Sequence, residues 1–384
     1  MSNLPNNWEW KSIEELCEIL DRLRKPISQK NRISGQYPYY GATGIVDYID
    51  DYIFDEKLLL VGEDGAKWNA NENTAFIADG KYWVNNHAHI MRPNRDIVLD
   101  MILVYYLNAT DLMDYITGAT VKKLNQQKLK SIKIPLPPLP EQQRIVSKVD
   151  KLFKKIDKTI ALHQKNMDET DVFMGSVLND VFGELEEKYE ITSLDTISTF
   201  QNGFAFKSKE FNKDGLGLRV IRIGNVLDIN KNPVFIDKRK EFDKYLLKEN
   251  DIVISMTGTR KKMDYLFVRV VDSNDSYLNQ RVGRISSKYN SHHRYLYYYL
   301  KSNYFRDKIF EFETGTVNQG NISSKDIMNS RIPNMSINIQ QKVVKYLDEI
   351  SEKIEKIKSV QKVKMNNLKA LKSSILDKAF RGEL

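Results

Sequence analysis

Only a few stretches of this 384-residue chain combine residue types that could do chemistry, and each falls short of the spacing its chemistry needs. Asn232-Pro233-Val234-Phe235 comes near the Asn/Asp-Pro-Pro-aromatic turn with which amino-methyltransferases hold a target amine. It lacks the second proline and no glycine-rich cofactor loop precedes it, so it reads as a turn into a strand. Asp214-Gly215-Leu216-Gly217 lacks the third glycine of a dinucleotide site, and no Gly-x-x-x-x-Gly-Lys phosphate loop occurs. His87-x-His89 and His292-His293 have neither a His-Glu-x-x-His spacing nor nearby cysteines, so no metal site is expected. No Asp/Glu…Glu-x-Lys nuclease core stands out either. The chain reads as a binder without catalytic residues or a cofactor of its own.

Residues suited to reading base edges or meeting phosphates do cluster. Asn, Gln, Arg and Lys can contact bases in a groove, with Lys and Arg elsewhere on the backbone. In the first half these are Lys67, Asn85, Asn86, His87 and the turn Thr120-Val121-Lys122-Lys123. In the second half they are Arg260, Lys261 and Lys262 after Thr259, then Asn279, Gln280, Arg281, Asn318 and Gln319. Asn85 and Asn279 fit a second role equally well, as structural turn-formers. A net charge of +8 and a pI near 9.1 fit a nucleic-acid partner.

The elements that must position these residues are written twice. Thr117-Gly118-Ala119-Thr120-Val121 is echoed by Thr314-Gly315-Thr316-Val317, and Ser131-Ile132-Lys133-Ile134-Pro135 by Ser330-Arg331-Ile332-Pro333. Gln142-Gln143 matches Gln340-Gln341, Tyr105-Tyr106-Leu107 matches Tyr298-Tyr299-Leu300, and Val84-Asn85-Asn86-His87 lies opposite Leu278-Asn279-Gln280-Arg281. Phe182-Gly183-Glu184-Leu185 and Phe380-Arg381-Gly382-Glu383-Leu384 close the copies. One match is chance; their common order is a repeat. The segments at about 20–80 and 200–275 barely resemble each other, so a shared frame carries two divergent inserts.

Each copy ends in a helical pattern of about 40 residues, roughly 60 Å long. Pro140 fits the first helical position. Apolar residues then recur at Ile145, Val149, Leu152 and Ile156 in the first copy, and at Val343, Leu347, Ile350, Ile354 and Ile357 in the second. Neither stripe can be buried alone, so the two helices are expected to pair as an antiparallel coiled coil. The inserts read as mixed α/β: strands at Leu58–Val61, Leu218–Ile223 and Asp251–Ser255, and a helix from Tyr295 to Phe312. The fold class is α+β, two mixed α/β domains in tandem at 1–140 and 186–335, each followed by a long helix, at 141–185 and 336–384.

One cysteine, Cys17, rules out an intrachain disulfide, and neither a secretory signal nor a membrane-length apolar stretch occurs. The expected place is the cytoplasm.

The chain resembles the specificity subunits of type I restriction–modification enzymes over essentially its whole length. Pro38-Tyr39-Tyr40-Gly41-Ala42-Thr43-Gly44 and Val84 to Ile90 look like phrases of one class of their target-recognition modules. Leu218 to Asn225, Asp251 to Gly258 and Leu278 to Arg281 look like another class. The joint Ile134-Pro135-Leu136-Pro137-Pro138-Leu139-Pro140-Glu141-Gln142-Gln143 is the most specific signal, and the second copy lacks its later prolines. The resemblance implies that each module reads one half of a split double-stranded DNA target, asymmetric because the inserts differ. It also implies two methyltransferase subunits using S-adenosylmethionine on adenine, and restriction subunits using ATP and Mg. Two other readings stay open: a coiled-coil scaffold without DNA, and a specificity subunit of a restriction system outside type I.

Overall fold

The computed structural model describes residues 4–316 and 318–384; Val317, the end of the second Thr-Gly-Thr-Val echo, and Met1–Asn3 lie outside the described residues. The chain divides into two units, residues 1–164 with 362–384, and residues 165–361. Among the described residues, no helix is long and apolar enough to cross a membrane.

The first unit is built on a four-stranded antiparallel sheet. Its order is Cys17–Ile19, Ala88–Pro93, Leu58–Gly62, Ala75–Ala78. Leu58–Gly62 is buried on both faces, which is why it reads as an unbroken apolar run rather than an alternating one. A second sheet, ordered Gly44–Ile49, Ser34–Gly41, Lys81–Val84, Phe54–Asp55, carries one parallel pairing, Ser34–Gly41 with Lys81–Val84.

The second unit repeats this plan with a different sequence. Its main sheet runs Ser198–Asn202, Val282–Ser287, Ile252–Ser255, Val268–Val270, and its smaller sheet again holds one parallel pairing, Leu218–Ile221 with Ser276–Leu278. A short sheet closes each module at its base, Glu9–Ser12 with Lys133–Leu136 and Ile191–Ser193 with Arg331–Pro333. The expected strand Leu218–Ile223 stops at Ile221, because Asn225 caps Arg222 and turns the chain into the helix Ile223–Leu227. The expected helix Tyr295–Phe312 breaks at Ser302, whose hydroxyl accepts from the Phe305 N–H and starts a new helix.

The long helices are Leu139–Lys188 and Ile337–Phe380. Pro140 sits one residue further in than expected, still within the first turn, where a missing N–H costs nothing. In the first unit Ile145, Val149 and Ile156 pack in one core with Ile375, Leu376 and Ala379. In the second unit Met174, Leu178 and Phe182 pack with Val344, Leu347 and Ile354. Within each unit the start of one helix therefore lies beside the end of the other, the antiparallel arrangement. Leu152, Val343 and Ile350 are partly buried on these seams, but Ile357 is 44% exposed. Its place in the seam falls to Lys358, one residue on, whose stem is covered and whose ammonium pairs with Asp171.

The Tyr-Tyr-Leu echo now has a physical reason. The Tyr105 hydroxyl donates to Asp150 and the Tyr298 hydroxyl to Asp348, each on the long helix that follows its own module. The next tyrosines meet ring edges from the end of the other long helix, Tyr106 with Phe380 and Tyr299 with Phe182. The paired glutamines are explained the same way. Gln142, fully buried, accepts from the Leu99 N–H (2.8 Å) and donates to the carbonyls of Ile97 (2.9 Å) and Pro137 (2.8 Å). Gln340, also fully buried, accepts from the His292 N–H (2.9 Å) and donates to Asn290 (3.2 Å) and Met335 (3.0 Å).

Candidate nucleic-acid interface

In both modules the parallel strand of the smaller sheet runs into a three-residue turn and then into the main sheet. The turn is Asn85–His87 in the first and Asn279–Arg281 in the second. It stands at the end of the central strand, where Gly62 pairs with Ala88 and Ser255 pairs with Val282. The residue just past that strand ties the turn to a hairpin. Glu63 N–H donates to the His87 carbonyl (2.8 Å), and its own carbonyl accepts from Leu124 N–H (2.8 Å). Met256 does the same between Arg281 (3.2 Å) and Ile322 (3.1 Å). Thus the turn, the loop after the central strand and a hairpin, closed by Thr117 with Lys123 in the first module and by Thr314 with Asn321 in the second, meet at one edge of each module.

The candidate residues divide by what the structure does with them. Asn85 is only 6% exposed and its Oδ1 accepts from the His87 N–H (2.8 Å), so it forms the turn. Asn86 is exposed, and the exposed His87 ring is paired with Asp64. Lys122 is exposed, but Lys123 reaches inward to Glu63 (2.6 Å) and is not a free cation for phosphate. Lys67 lies out on the loop beside Glu72 (3.7 Å).

In the second module Asn279 bonds through its backbone, to the Ile221 carbonyl and from the Val282 N–H, leaving its side chain without a partner among the described residues. Gln280 and Arg281 are exposed. The Arg260 guanidinium donates to the Gly315 carbonyl (2.7 Å), stitching loop to hairpin, while the Lys261 and Lys262 side chains are exposed. Asn318 is exposed, and Gln319 is half-covered beside Asn321.

An open concavity brings Arg222, Lys231 and Asn232 alongside Asn279, Gln280 and Arg281. Sequence reasoning missed the first three, because Arg222 and Lys231 are far from the turn along the chain and Asn232 was read only as part of a turn. The run Leu218–Ile223 reads as a strand in sequence; instead Arg222 sits in the corner after the strand, held by Asn225 and the Asn232 carbonyl.

Asn279 is held in place from below by Gly203. A Cβ on Gly203 would meet the Asn279 carbonyl oxygen at 2.0 Å, a backbone atom that cannot rotate away. Gly203→Ala is therefore expected to displace this turn, at a cost of about 1–3 kcal/mol, as overpacking generally does. The check is denaturant unfolding of the variant against wild type.

Beneath the first module's turn lies a buried ionic network that its sequence did not suggest. Glu63 pairs with Arg24 and Lys123, and Asp21 with His89 (2.6 Å) and Gln126 (3.0 Å). His89 is fully buried, and its other ring nitrogen faces the Leu124 carbonyl at 2.7 Å. The ring thus lies between the Asp21 carboxylate and the Leu124 carbonyl. Burial alone would push the Asp21 carboxyl up. The bond and charge of His89, the Ile90 N–H and Gln126 outweigh it and hold the group below its ordinary range. Asp21, Glu63 and His89 offer ligand atoms within 4.8 Å of one another, the spacing of a cation site. Arg24 and Lys123 already answer that negative charge. His87 and His89, adjacent in the His-x-His motif, thus do separate things. In the second module the same place is apolar: Met256 stands where Glu63 does, and the Phe200 ring fills the space over Gly283, whose strand position is the equivalent of His89 in the first module.

The fold defines a protein of two recognition modules carried on long helices. A family model for the type I restriction modification DNA specificity domain matches twice, at residues 5–166 and 186–365. The chain belongs to this family and is a type I specificity subunit. It is 24% identical over 412 residues to the MjaVIII specificity subunit of Methanocaldococcus jannaschii, covering 99% of this chain and 94% of that one. A putative type I specificity subunit of Haemophilus influenzae is 36% identical over 144 residues, a stretch that spans 38% of this chain and 37% of that protein. A solved chain from a study of complex assembly in a type I restriction–modification system superposes over the full length of both chains, with a TM-score of 0.70 at 20% identity.

Proposed function

We propose that this chain reads an asymmetric, bipartite double-stranded DNA target, one half with each module, for two adenine-methyltransferase subunits and for restriction subunits. The long helices set the separation of the halves. S-adenosylmethionine, ATP and Mg belong to those partner subunits, and this chain takes part in no bond making. The observation that carries the reading is the shared edge with unshared chemistry. The same turn, loop and hairpin meet in both modules, yet one presents Asn86, His87 and Lys122 and the other Asn279, Gln280 and Arg281. Equal frames with unequal reading groups suit two different half-sites.

The test is to co-express the chain with the methyltransferase of its own locus in a methylation-free host and map modified bases across the genome. A split, asymmetric motif with methyladenine in each half, absent without this chain, is the expected result. A soluble complex that modifies nothing would favour the scaffold reading. Within the complex, Asn279→Ala or Arg281→Ala should relax reading of one half by about 1–3 kcal/mol, the worth of one good base contact. Loss spread equally over both halves would contradict modular recognition. Lys122→Ala should instead weaken all sequences alike and flatten the salt dependence.

A further inference from the structure

Val46 is the residue that strand pairing leaves over. Tyr39 pairs with Asp47 and Tyr40 with Ile45, so the hairpin formed by Ser34–Gly41 and Gly44–Ile49 carries a β-bulge at Val46. A bulge takes one side chain out of the strand's alternation and re-aims it. This one is aimed over Gly41. A Cβ on Gly41 would lie 2.9 Å from Val46 Cγ1 and 3.4 Å from Asn85 Nδ2, so the valine and the asparagine share the space that the glycine leaves open. The turn of the hairpin reaches the same edge of the module, since the Ala42 carbonyl lies against Gly62, one residue before Glu63.

Val46 is nevertheless 52% exposed. A branched aliphatic held open to water by a bulge, beside a turn that presents Asn86 and His87, is an apolar spot on a polar edge. The neighbouring amide completes its chemistry. Asn85 Oδ1 is committed to the turn, and Nδ2 has no acceptor among the described residues. A single N–H donor next to a pair of methyl groups complements one base edge of the major groove, that of thymine, which offers the O4 acceptor beside the C5-methyl. Adenine would need both amide atoms of Asn85, and one of them is taken.

We propose that Val46, with the Asn85 donor beside it, reads a thymine methyl in the half-site taken by the first module. This rests on the DNA-reading function proposed above. Val46 is a specificity-determining residue in this assignment, and the bulge is the device that delivers it.

The test uses the complex with its methyltransferase subunits and duplexes carrying the mapped target. Each thymine of both halves is replaced in turn by deoxyuridine, which removes the methyl and nothing else. One position in one half should weaken binding roughly three- to fivefold, the worth of one buried methyl-sized group. Val46→Ala should lower affinity for the thymine duplex by a similar factor and bind the thymine and uracil duplexes equally. Unchanged reading of the remaining positions of the same half shows that the variant's first module is folded. Absence of any methyl-dependent thymine, or a methyl dependence that persists in Val46→Ala, would overturn the assignment while leaving bipartite reading intact. A complex with no mapped motif would remove both.

Discussion

Replacing Glu63 with methionine, the residue that holds the same place in the second module, is expected to destabilise the first module rather than convert it. The side chain is nearly buried and answers two cations, Arg24 and Lys123. Breaking a buried pair from one side costs about 3–5 kcal/mol, because the partner keeps its charge in a place with little water. Arg24 also donates to the Ala88 carbonyl (2.9 Å) and lies near Asp21 (3.6 Å), which puts the expected loss at the lower end, about 3 kcal/mol. For a unit of this size that is roughly 6–12 °C in melting temperature. In methylation mapping at rising temperature, reading of the first half-site should fail before that of the second. Glu63→Met combined with Arg24→Leu should cost less than Glu63→Met alone, since an apolar replacement of a whole pair spares the stranded charge. If the double variant were worse than the single one, the network would not be the source of the loss. The same network sets the sign of the acid response. Asp21 titrates below its ordinary range, so its contribution is complete above the unfolded carboxylate value of about 3.9 and disappears as pH falls through the lowered one.

The repeat was legible because its echoes are the residues that attach a module to the long helices. Tyr105 and Tyr298, Gln142 and Gln340, Phe182 and Phe380 do the same mechanical work in each copy, so their types and order persist. The inserts hid their likeness because a strand pairing is made by backbone groups. Leu58–Gly62 and Ile252–Ser255 hold the same place between the same neighbours with different side chains. The recognition residues were half legible. Exposed positions such as Asn86, Gln280 and Arg281 follow from composition and position in a turn. Whether an asparagine reads or builds does not, since Asn85 and Asn279 differ only in what their side chains find three-dimensionally. Lys123 looked like a phosphate contact because Glu63, its partner, lies about sixty residues away along the chain. Ile357 fitted a helical stripe, yet a step of three from Ile354 leaves the seam when Lys358 can cover it.

Gln142→Glu should damage the first unit about as badly as Gln142→Leu, although glutamate has nearly the shape of glutamine. The amide meets one backbone donor, Leu99 N–H, and two backbone acceptors, the Ile97 and Pro137 carbonyls. Leucine leaves all three without a partner. Glutamate keeps the acceptor and loses both donors, and it places a carboxylate against two carbonyl oxygens in a fully buried position. Each orphaned buried group costs about 1–3 kcal/mol, so both variants should lose about 4 kcal/mol. Gln340 makes the same three bonds in the second unit, to His292, Asn290 and Met335. Hydrogen exchange separates the two clamps from general destabilisation. Gln142→Glu should expose the amides of the helix Asp100–Ala109 and spare those of His293–Lys301, and Gln340→Glu should do the reverse. A glutamate variant as stable as wild type would mean that the donors are dispensable, and the persistence of glutamine in both copies would need another cause. If the clamps behave as expected, each fixes the angle at which a module leaves its helix. Methylation by the intact complex should then fall in both variants even at temperatures where the units remain folded, because a loosened junction no longer presents its turn at a fixed place along the DNA.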